Sequence, residues 1–142
     1  MAFVLDASLA LAWLLPDETT AAARLLLDRI QSEPACAPAI WPLEIANALL
    51  TAERRKRISD VERSALLEHL GALPILIDKP HEATDLALIS EVARKHDLSI
   101  YDACYLQLAQ TQRLALATFD RDLLAAAKRI GVPTLPSPTD IA

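Results

Sequence analysis

Short apolar segments alternate along the chain with longer segments whose apolar residues recur at helical spacing. The apolar segments predict β-strands at residues 2–5, 35–37, 75–77, 114–117 and 133–135. The longer segments predict helices at residues 8–14, 18–31, 42–56, 60–70, 81–95, 100–109 and 121–130. Because strands and helices that alternate form βα units, we expect an α/β fold with a mostly parallel sheet of four to five strands flanked by helices.

The length of 142 residues is suited to one domain, so we expect residues 1–142 to form a single unit. Hydrophobic residues make up 53% of the chain and aromatic residues only 4%, which predicts a core of Leu, Ala, Ile and Val. The chain has only two glycines, so it has no glycine-rich phosphate loop and no dinucleotide-binding fingerprint. Nucleotide-cofactor functions are therefore disfavoured.

The formal net charge of -5 argues against binding nucleic acid by bulk electrostatics, so any such contact should be local or mediated by metal. Cys36 and Cys104 have no metal-ligand spacing, and we expect buried free thiols in a reducing cytoplasm. The apolar start lacks a basic leader and is interrupted by Asp6, so we expect neither a signal peptide nor a membrane span.

Several residues predict where helices begin and end. Pro42 and the capping pattern from Ser99 to Asp102 predict helix starts, as do Ser59 and Asp60. Gly131 predicts a helix end. The Pro-rich residues 135–142 should form an extended end segment.

Four carboxylates are expected at one edge of the sheet. Asp6 follows the first predicted strand and Asp120 follows the fourth, so both should lie at the carboxyl edge, where open parallel sheets bind ligands. Glu44 and Asp102 lie in the first turns of helices, whose starts point to the same edge. The topology therefore allows all four side chains to meet.

Each acid also has a purely structural explanation. Asp6 and Asp120 suit helix N-caps, while Glu44 and Asp102 suit the positive end of a helix dipole. Four carboxylates close together would, however, repel one another and raise their pKa values unless a cation is present. Oxygen ligands without His or Cys favour Mg²⁺ or Mn²⁺ over Zn²⁺. The three histidines have no metal-ligand spacing and are expected at helix faces or ends: His69, His81 and His96.

Four segments occur in order across almost the whole chain: FVLDAS, PLEIANAL, LSIYDACYLQLA and LATFDRDLLAAA. As a set they resemble the PIN domain, and specifically the VapC-type toxins of bacterial toxin–antitoxin pairs. The resemblance implies a three-layer α/β fold and a magnesium-dependent endoribonuclease. Its catalytic acids would be Asp6, Glu44, Asp102 and Asp120.

The resemblance also implies polar residues that line the pocket, namely Ser8, Asn47 and Thr118. Asp122 is a second candidate beside Asp120, which we favour because it is closer to the strand end. Toxins of this family are typically cytoplasmic homodimers neutralised by a small antitoxin, so the resemblance implies these partners together with RNA.

For hydrolysis of RNA, metal held by Asp6, Asp102 and Asp120 would activate water and neutralise charge on the scissile phosphate, with Glu44 as a ligand or general base. One alternative is a Mg²⁺-dependent phosphoryl-transfer domain, but Asp6-Ala7-Ser8 lacks the second acid of a D-x-D pair. The other is a non-catalytic PIN-like interaction module in which the acids cap helices or bind a partner's arginine.

Two surface predictions follow from local composition. The basic run from Arg54 and Arg55 onward is a candidate RNA contact, or else the solvated end of a helix whose cations complement the dipole. Apolar residues 13–15, just before Pro16, are candidates for a self-association surface, with core burial as the competing explanation.

Overall fold

Five strands form one parallel sheet in the computed structural model, which describes residues 2–137. The strands are β1 (Val4–Leu5), β2 (Ala35–Ala37), β3 (Ile75–Ile77), β4 (Leu116–Ala117) and β5 (Thr134–Leu135). Their order across the sheet is β3-β2-β1-β4-β5, and every neighbouring pair is parallel. The predicted α/β class and parallel sheet are confirmed, whereas residues 138–142 of the predicted extended tail lie outside the described residues.

Each of the seven predicted helices is present in the described chain. They are α1 (Ala7–Leu14), α2 (Ala21–Ile30), α3 (Trp41–Arg54), α4 (Asp60–Gly71), α5 (Ala83–His96), α6 (Ile100–Gln112) and α7 (Arg121–Ile130). The prediction for residues 18–31 was wrong at its start, because Pro16–Glu18 forms a separate 3-10 turn. Thr20 then has an extended backbone and accepts the Ala23 N–H with its hydroxyl, which sets the start of α2.

Three of the strands are shorter than predicted, β1, β4 and β5, and hydrogen bonding explains the shortening of β4 and β5. The Leu114 N–H donates to the Ala109 carbonyl at the end of α6, so residue 114 closes the helix and is not part of β4. Pro133 has no N–H to donate, although its carbonyl accepts the Leu116 N–H. Pairing between these two strands therefore begins at Leu116 and Thr134.

The direction of the strand order reverses at β1. β2 and β3 extend the sheet on one side of it, whereas β4 and β5 extend it on the other. Val4 and Leu5 are fully buried, as expected for a central strand covered on both faces. α1 contacts α2 and α3, and α3 contacts α4, whereas α6 contacts α5 and α7. The sheet thus lies between two groups of helices, and the crevice at the carboxyl ends of β1 and β4 is its topological switch point.

Most of the predicted helix ends are confirmed. Ser59 forms a capping box with Glu62, the Ser99 hydroxyl accepts the Asp102 N–H, and Gly131 ends α7 with a φ of 77°. Both cysteines are buried and free, as predicted. No helix within residues 2–137 is long and apolar enough to cross a membrane.

The predicted self-association surface at residues 13–15 is wrong. Leu14 and Leu15 are buried in the main core, at 4% and 2% exposure. The Trp13 indole N–H donates to the Ala23 carbonyl at 2.6 Å, which anchors the ring against α2. The competing explanation, core burial, accounts for this segment.

Candidate active site

Asp6 is the first residue after β1 and is only 5% exposed. Its N–H donates to the Ala117 carbonyl at 2.9 Å, which continues the pairing of β1 with β4 by one residue. It occupies the N-cap position of α1, but its side chain makes no capping bond to α1 in the described chain. Its Oδ2 instead accepts the hydroxyls of Ser8 at 2.7 Å and Thr118 at 2.6 Å. The helix-cap explanation therefore fails for this carboxylate.

The two hydroxyls beside Asp6 are themselves fixed by the backbone after β4. Ser8 Oγ accepts the Phe119 N–H and Thr118 Oγ1 accepts the Asp120 N–H, each at 3.0 Å. A hydroxyl has one proton to donate, and both protons go to Asp6. Ser8 and Thr118, which the resemblance implied as pocket residues, both contact Asp6 and orient its carboxylate.

Glu44 lies in the first turn of α3 and is oriented by Tyr105. The Tyr105 hydroxyl donates to Glu44 Oε1 at 2.6 Å, and the Tyr105 side chain is fully buried. The sequence analysis missed this tyrosine. A signal was available, because Tyr105 lies three residues after Asp102 on α6 and therefore on a neighbouring part of the same helix face.

The other two acids lie at the starts of helices. Asp120 is the N-cap of α7, and its Oδ1 accepts the Leu123 N–H at 2.9 Å, so the structural role considered for it is real. Asp102 lies in the first turn of α6, where the Ser99 hydroxyl caps its backbone N–H at 3.0 Å. The Asp102 carboxylate is therefore not the capping group.

The acids interact electrostatically as a group. Burial raises the pKa of Asp6, and the charge of Asp120 adds to this effect. Burial also raises the pKa of Glu44, reinforced by the charges of Asp6 and Asp102. The pKa of Asp102 rises to about 6, first through burial and then through the charges of Asp120 and Asp6. Asp6, Glu44 and Asp102 thus each lie close enough to another of the predicted acids for its charge to oppose their ionisation.

The chemistry of this site suits a hard divalent cation. Its side chains offer carboxylate oxygens, the donors that Mg²⁺ and Mn²⁺ prefer, and a cation would relieve their mutual repulsion. As the side chains stand, however, no three His, Cys, Asp or Glu residues within 2–137 lie close enough to form a ready ligand set. Water would therefore have to supply much of the coordination shell, as is usual for Mg²⁺.

The other predicted site residues differ in their distance from these acids. Asn47 is exposed one turn after Glu44 on α3, on a neighbouring part of the same helix face. Arg54 and Arg55 lie at the opposite end of α3, about 15 Å from Glu44 at 1.5 Å per residue. Asp122 is exposed, and its charge contributes to the raised pKa of Asp102. The basic run therefore lies away from the acids, at the end of the helix where the sequence analysis placed it.

The sequence matches one protein family and is similar to a named relative. The model of the family described as "PIN domain" matches residues 3–129, a range that includes all four acids. Ribonuclease VapC3 from Pyrobaculum aerophilum is 31% identical over 123 residues, which cover 87% of this chain and 92% of the relative.

Two solved structures have the same fold. PAE2754 from Pyrobaculum aerophilum aligns with a TM-score of 0.70 and 26% identity over 95% of this chain and 84% of its own. FitAcB from Neisseria gonorrhoeae aligns with a TM-score of 0.64 and 21% identity, over 92% of this chain and 94% of the matched chain.

Proposed function

This chain belongs to the PIN-domain family, and from that premise we propose that it is a metal-dependent endoribonuclease that acts as the toxin of a toxin–antitoxin pair. The observation that carries the proposal is the buried Asp6 carboxylate, held by two hydroxyls at the switch point of the sheet. Helix capping does not explain that arrangement. The relative named ribonuclease VapC3 supports RNA as the substrate.

Asp6, Asp102 and Asp120 are the residues that would hold Mg²⁺ or Mn²⁺. When bound, the ion supplies positive charge opposite the phosphodiester and lowers the pKa of water. Ser8 and Thr118 keep Asp6 in one orientation by donating to Oδ2, so its position need not be reorganised when substrate arrives.

Glu44 is the residue suited to accept a proton from the attacking water. Its raised pKa makes it a stronger base than an exposed glutamate while leaving it able to ionise. Tyr105 donates to one of its oxygens and so fixes the direction in which the carboxylate faces. We assign Tyr105 as a positioning residue, because it acts through Glu44.

The direct test is cleavage of a mixed-sequence RNA with Mg²⁺ or Mn²⁺. We expect cleavage by the wild type, loss of cleavage with a chelator, and loss in Asp6→Asn, which removes an anionic ligand. Asp60→Asn is the matched control, because Asp60 is exposed at the start of α4. If cleavage persists with chelator or in Asp6→Asn, the activity comes from a contaminating nuclease. The non-catalytic interaction module is then the favoured function.

The exposed cations at the end of α3 are proposed to contact RNA beyond the acidic site. Replacing both Arg54 and Arg55 with Ala should weaken RNA binding and reduce the slope of log K against log salt by about 1.4, at about 0.7 per lost phosphate contact. The exposed Arg24 on α2, changed to Ala, provides a comparison. An unchanged slope in the double variant would mean that these arginines do not contact RNA and only complement the dipole at the end of α3.

An antitoxin and a second copy of the chain are the proposed protein partners, and the cytoplasm is the proposed compartment. Large exposed apolar side chains at two separate positions support contacts with protein partners: Leu43 at the start of α3 is 69% exposed, and Val61 at the start of α4, next to the end of α3, is 74% exposed. Sedimentation of the purified chain at micromolar concentration distinguishes a homodimer from a monomer.

A further inference from the structure

Two aromatic side chains of the chain are exposed, and each directly precedes an acid of the candidate active site. The chain has two Phe, two Trp and two Tyr, all within the part that the structure describes. Tyr101, before Asp102, is 57% exposed, and Phe119, before Asp120, is 38% exposed. The other four are buried in the core or packed against it: Phe3, Trp13, Trp41 and Tyr105. The exposed aromatic rings are therefore confined to one part of the surface.

Both residues lie at the edge of the sheet that carries the acids. Phe119 is the second residue after β4, and its N–H donates at 3.0 Å to Ser8 Oγ, a hydroxyl that orients the carboxylate after β1. Tyr101 is the second residue of α6, whose first turn contains Asp102. After burial, the charge of Asp120 is the largest cause of the raised pKa of Asp102, so these two acids are close together. The aromatic residues joined to them therefore flank one site.

The charges at this edge favour an uncharged, flat partner. Asp102 and Asp120 are two of four carboxylates there, so a phosphate beyond the one opposite the metal would be repelled. A nucleobase is uncharged, and every base has a flat face that stacks on an aromatic ring. The net charge of -5 also leaves little bulk attraction for the RNA backbone, so contacts with bases must supply more of the affinity. The surroundings therefore select bases rather than phosphates at the two rings.

A protein partner is the other occupant that exposed rings would suit. Apart from these two positions, every exposed large hydrophobic residue in the described chain is aliphatic, as at Leu25, Val61 and Leu88. Aliphatic side chains are sufficient for apolar contacts with a protein, whereas an aromatic ring offers the π face on which a base stacks. The presence of aromatic residues at the two positions beside the acids therefore favours RNA.

We propose that Tyr101 and Phe119 stack on two bases of the RNA substrate, those of the nucleotides that flank the scissile phosphate. The inference rests on the proposed ribonuclease function. Single-stranded RNA is commonly bound in this way, by unstacked bases on aromatic side chains. Each base is joined to the scissile phosphate through one ribose, and each ring is next in sequence to an acid, so stacking holds that phosphate opposite the acids. Paired bases are already stacked, and the two rings therefore select unpaired nucleotides.

The test measures binding of a short single-stranded RNA by fluorescence anisotropy, in chelator so that the RNA stays intact. Tyr101→Phe and Phe119→Tyr keep an aromatic face, whereas Tyr101→Leu and Phe119→Leu keep apolar bulk without one. Leu25→Ala is the control, because Leu25 on α2 is as exposed as Tyr101, at 57%. All five changes are at exposed side chains, so each variant should fold.

We expect each leucine variant to bind RNA about tenfold more weakly, as for the loss of one base stack. The slope of log K against log salt should stay the same, because no phosphate contact is lost. Tyr101→Phe, Phe119→Tyr and Leu25→Ala should bind as the wild type does. An oligomer of ribose phosphate without bases should bind the wild type and the leucine variants equally weakly.

Equal binding of RNA by the wild type and both leucine variants would overturn the proposal. The same loss with the oligomer that lacks bases would also overturn it, because no base is then involved. So would an absence of RNA binding by the wild type.

Cleavage with Mg²⁺ separates this proposal from the proposed function. If the wild type binds RNA through the two rings and does not cleave it, the nuclease assignment fails and the stacking proposal stands. If the wild type cleaves RNA and the leucine variants bind as tightly as the wild type, the nuclease assignment stands and the stacking proposal fails. Where both hold, we expect a hairpin whose cut site is base-paired to be cleaved about tenfold more slowly than the same sequence unpaired, because its bases cannot reach the rings. Equal rates would contradict the selection of unpaired nucleotides.

Discussion

At the scale of single residues, the orientation of the acids depends on neighbours that are distant in sequence. Asp6 receives hydroxyl protons from Ser8, two residues away, and from Thr118, 112 residues away. Glu44 receives one from Tyr105, 61 residues away. Buried carboxylates without such donors would be more costly to ionise, because burial alone raises the pKa of each.

Tyr105→Phe tests whether the bond to Glu44 matters for the reaction. Removing the hydroxyl deletes a donor that lowers the pKa of Glu44, so that pKa should rise further. We expect kcat to fall about tenfold with little change in KM, and the acid limb of the pH–rate profile to move to higher pH. Tyr101→Phe, at an exposed tyrosine of the same helix, should behave as the wild type. A loss of stability without a shift of the acid limb would make Tyr105 a core residue only.

The raised pKa of Asp102 predicts a dependence of stability on pH in the metal-free protein. Its folded-state pKa of about 6 exceeds the ordinary value of 3.8, so the folded state binds the proton more tightly. Ionised Asp102 therefore destabilises the fold above about pH 6, and the cost declines as pH falls toward 4. Asp102→Asn should be more stable than the wild type at pH 7.5, with a smaller difference at pH 4.5. Urea unfolding in the presence of chelator measures the stability of both proteins at each pH. An equal difference in stability at pH 7.5 and pH 4.5 would contradict a raised pKa of Asp102.

At the scale of elements, the pattern of apolar residues predicted which segments are strands and helices, and local chemistry decided where they end. Residues 35–37 and 75–77 were predicted with the bounds that the structure has, as was α7. The start of α2 was predicted three residues early, because Pro16–Glu18 forms a separate 3-10 turn and the Thr20 hydroxyl, which accepts the Ala23 N–H, sets the start of the helix. The start of β4 was missed because the Leu114 N–H closes the preceding helix. Periodicity carries no information about either hydrogen bond.

The two glycines of the chain form a matched pair for testing a helix end. Gly131 ends α7 at a φ of 77°, where a Cβ is strained even though no atom lies within 4 Å. Gly71 is the last residue of α4, and a Cβ there also meets nothing within 4 Å. We expect Gly131→Ala to lower the free energy of unfolding by about 1 kcal/mol. Gly71→Ala should raise it by about 0.5 kcal/mol. Thermal unfolding of both variants decides, and a stabilised Gly131→Ala would be inconsistent with the left-handed helix end.

At the scale of the whole molecule, the parallel sheet brings the acids together. The rule that ligands bind at the carboxyl edge led to the prediction that Asp6, Glu44, Asp102 and Asp120 converge, and the effects of neighbouring charges on the pKa values of Asp6, Glu44 and Asp102 support it. Spacing could place Tyr105 on the same helix face as Asp102, but it could not predict the bond to Glu44, which depends on how α6 packs against α3. The predicted helix 42–56 already placed Glu44 and Arg54 at opposite ends, as they are in α3.

The central claim is that these acids share one cation, and melting temperature against Mn²⁺ concentration tests it most directly. Asp120→Asn should fold, because Asn caps helices about as well as Asp. Asp6→Asn and Asp102→Asn should also fold, because each keeps the size of the side chain and removes a buried charge. Mn²⁺ at about 100 times its Kd should stabilise the wild type by about 2.7 kcal/mol, because it binds only the folded state. The account predicts that each variant loses most of this gain. An equal rise in melting temperature in all four proteins would mean that the acids do not bind a common ion, and would contradict the account.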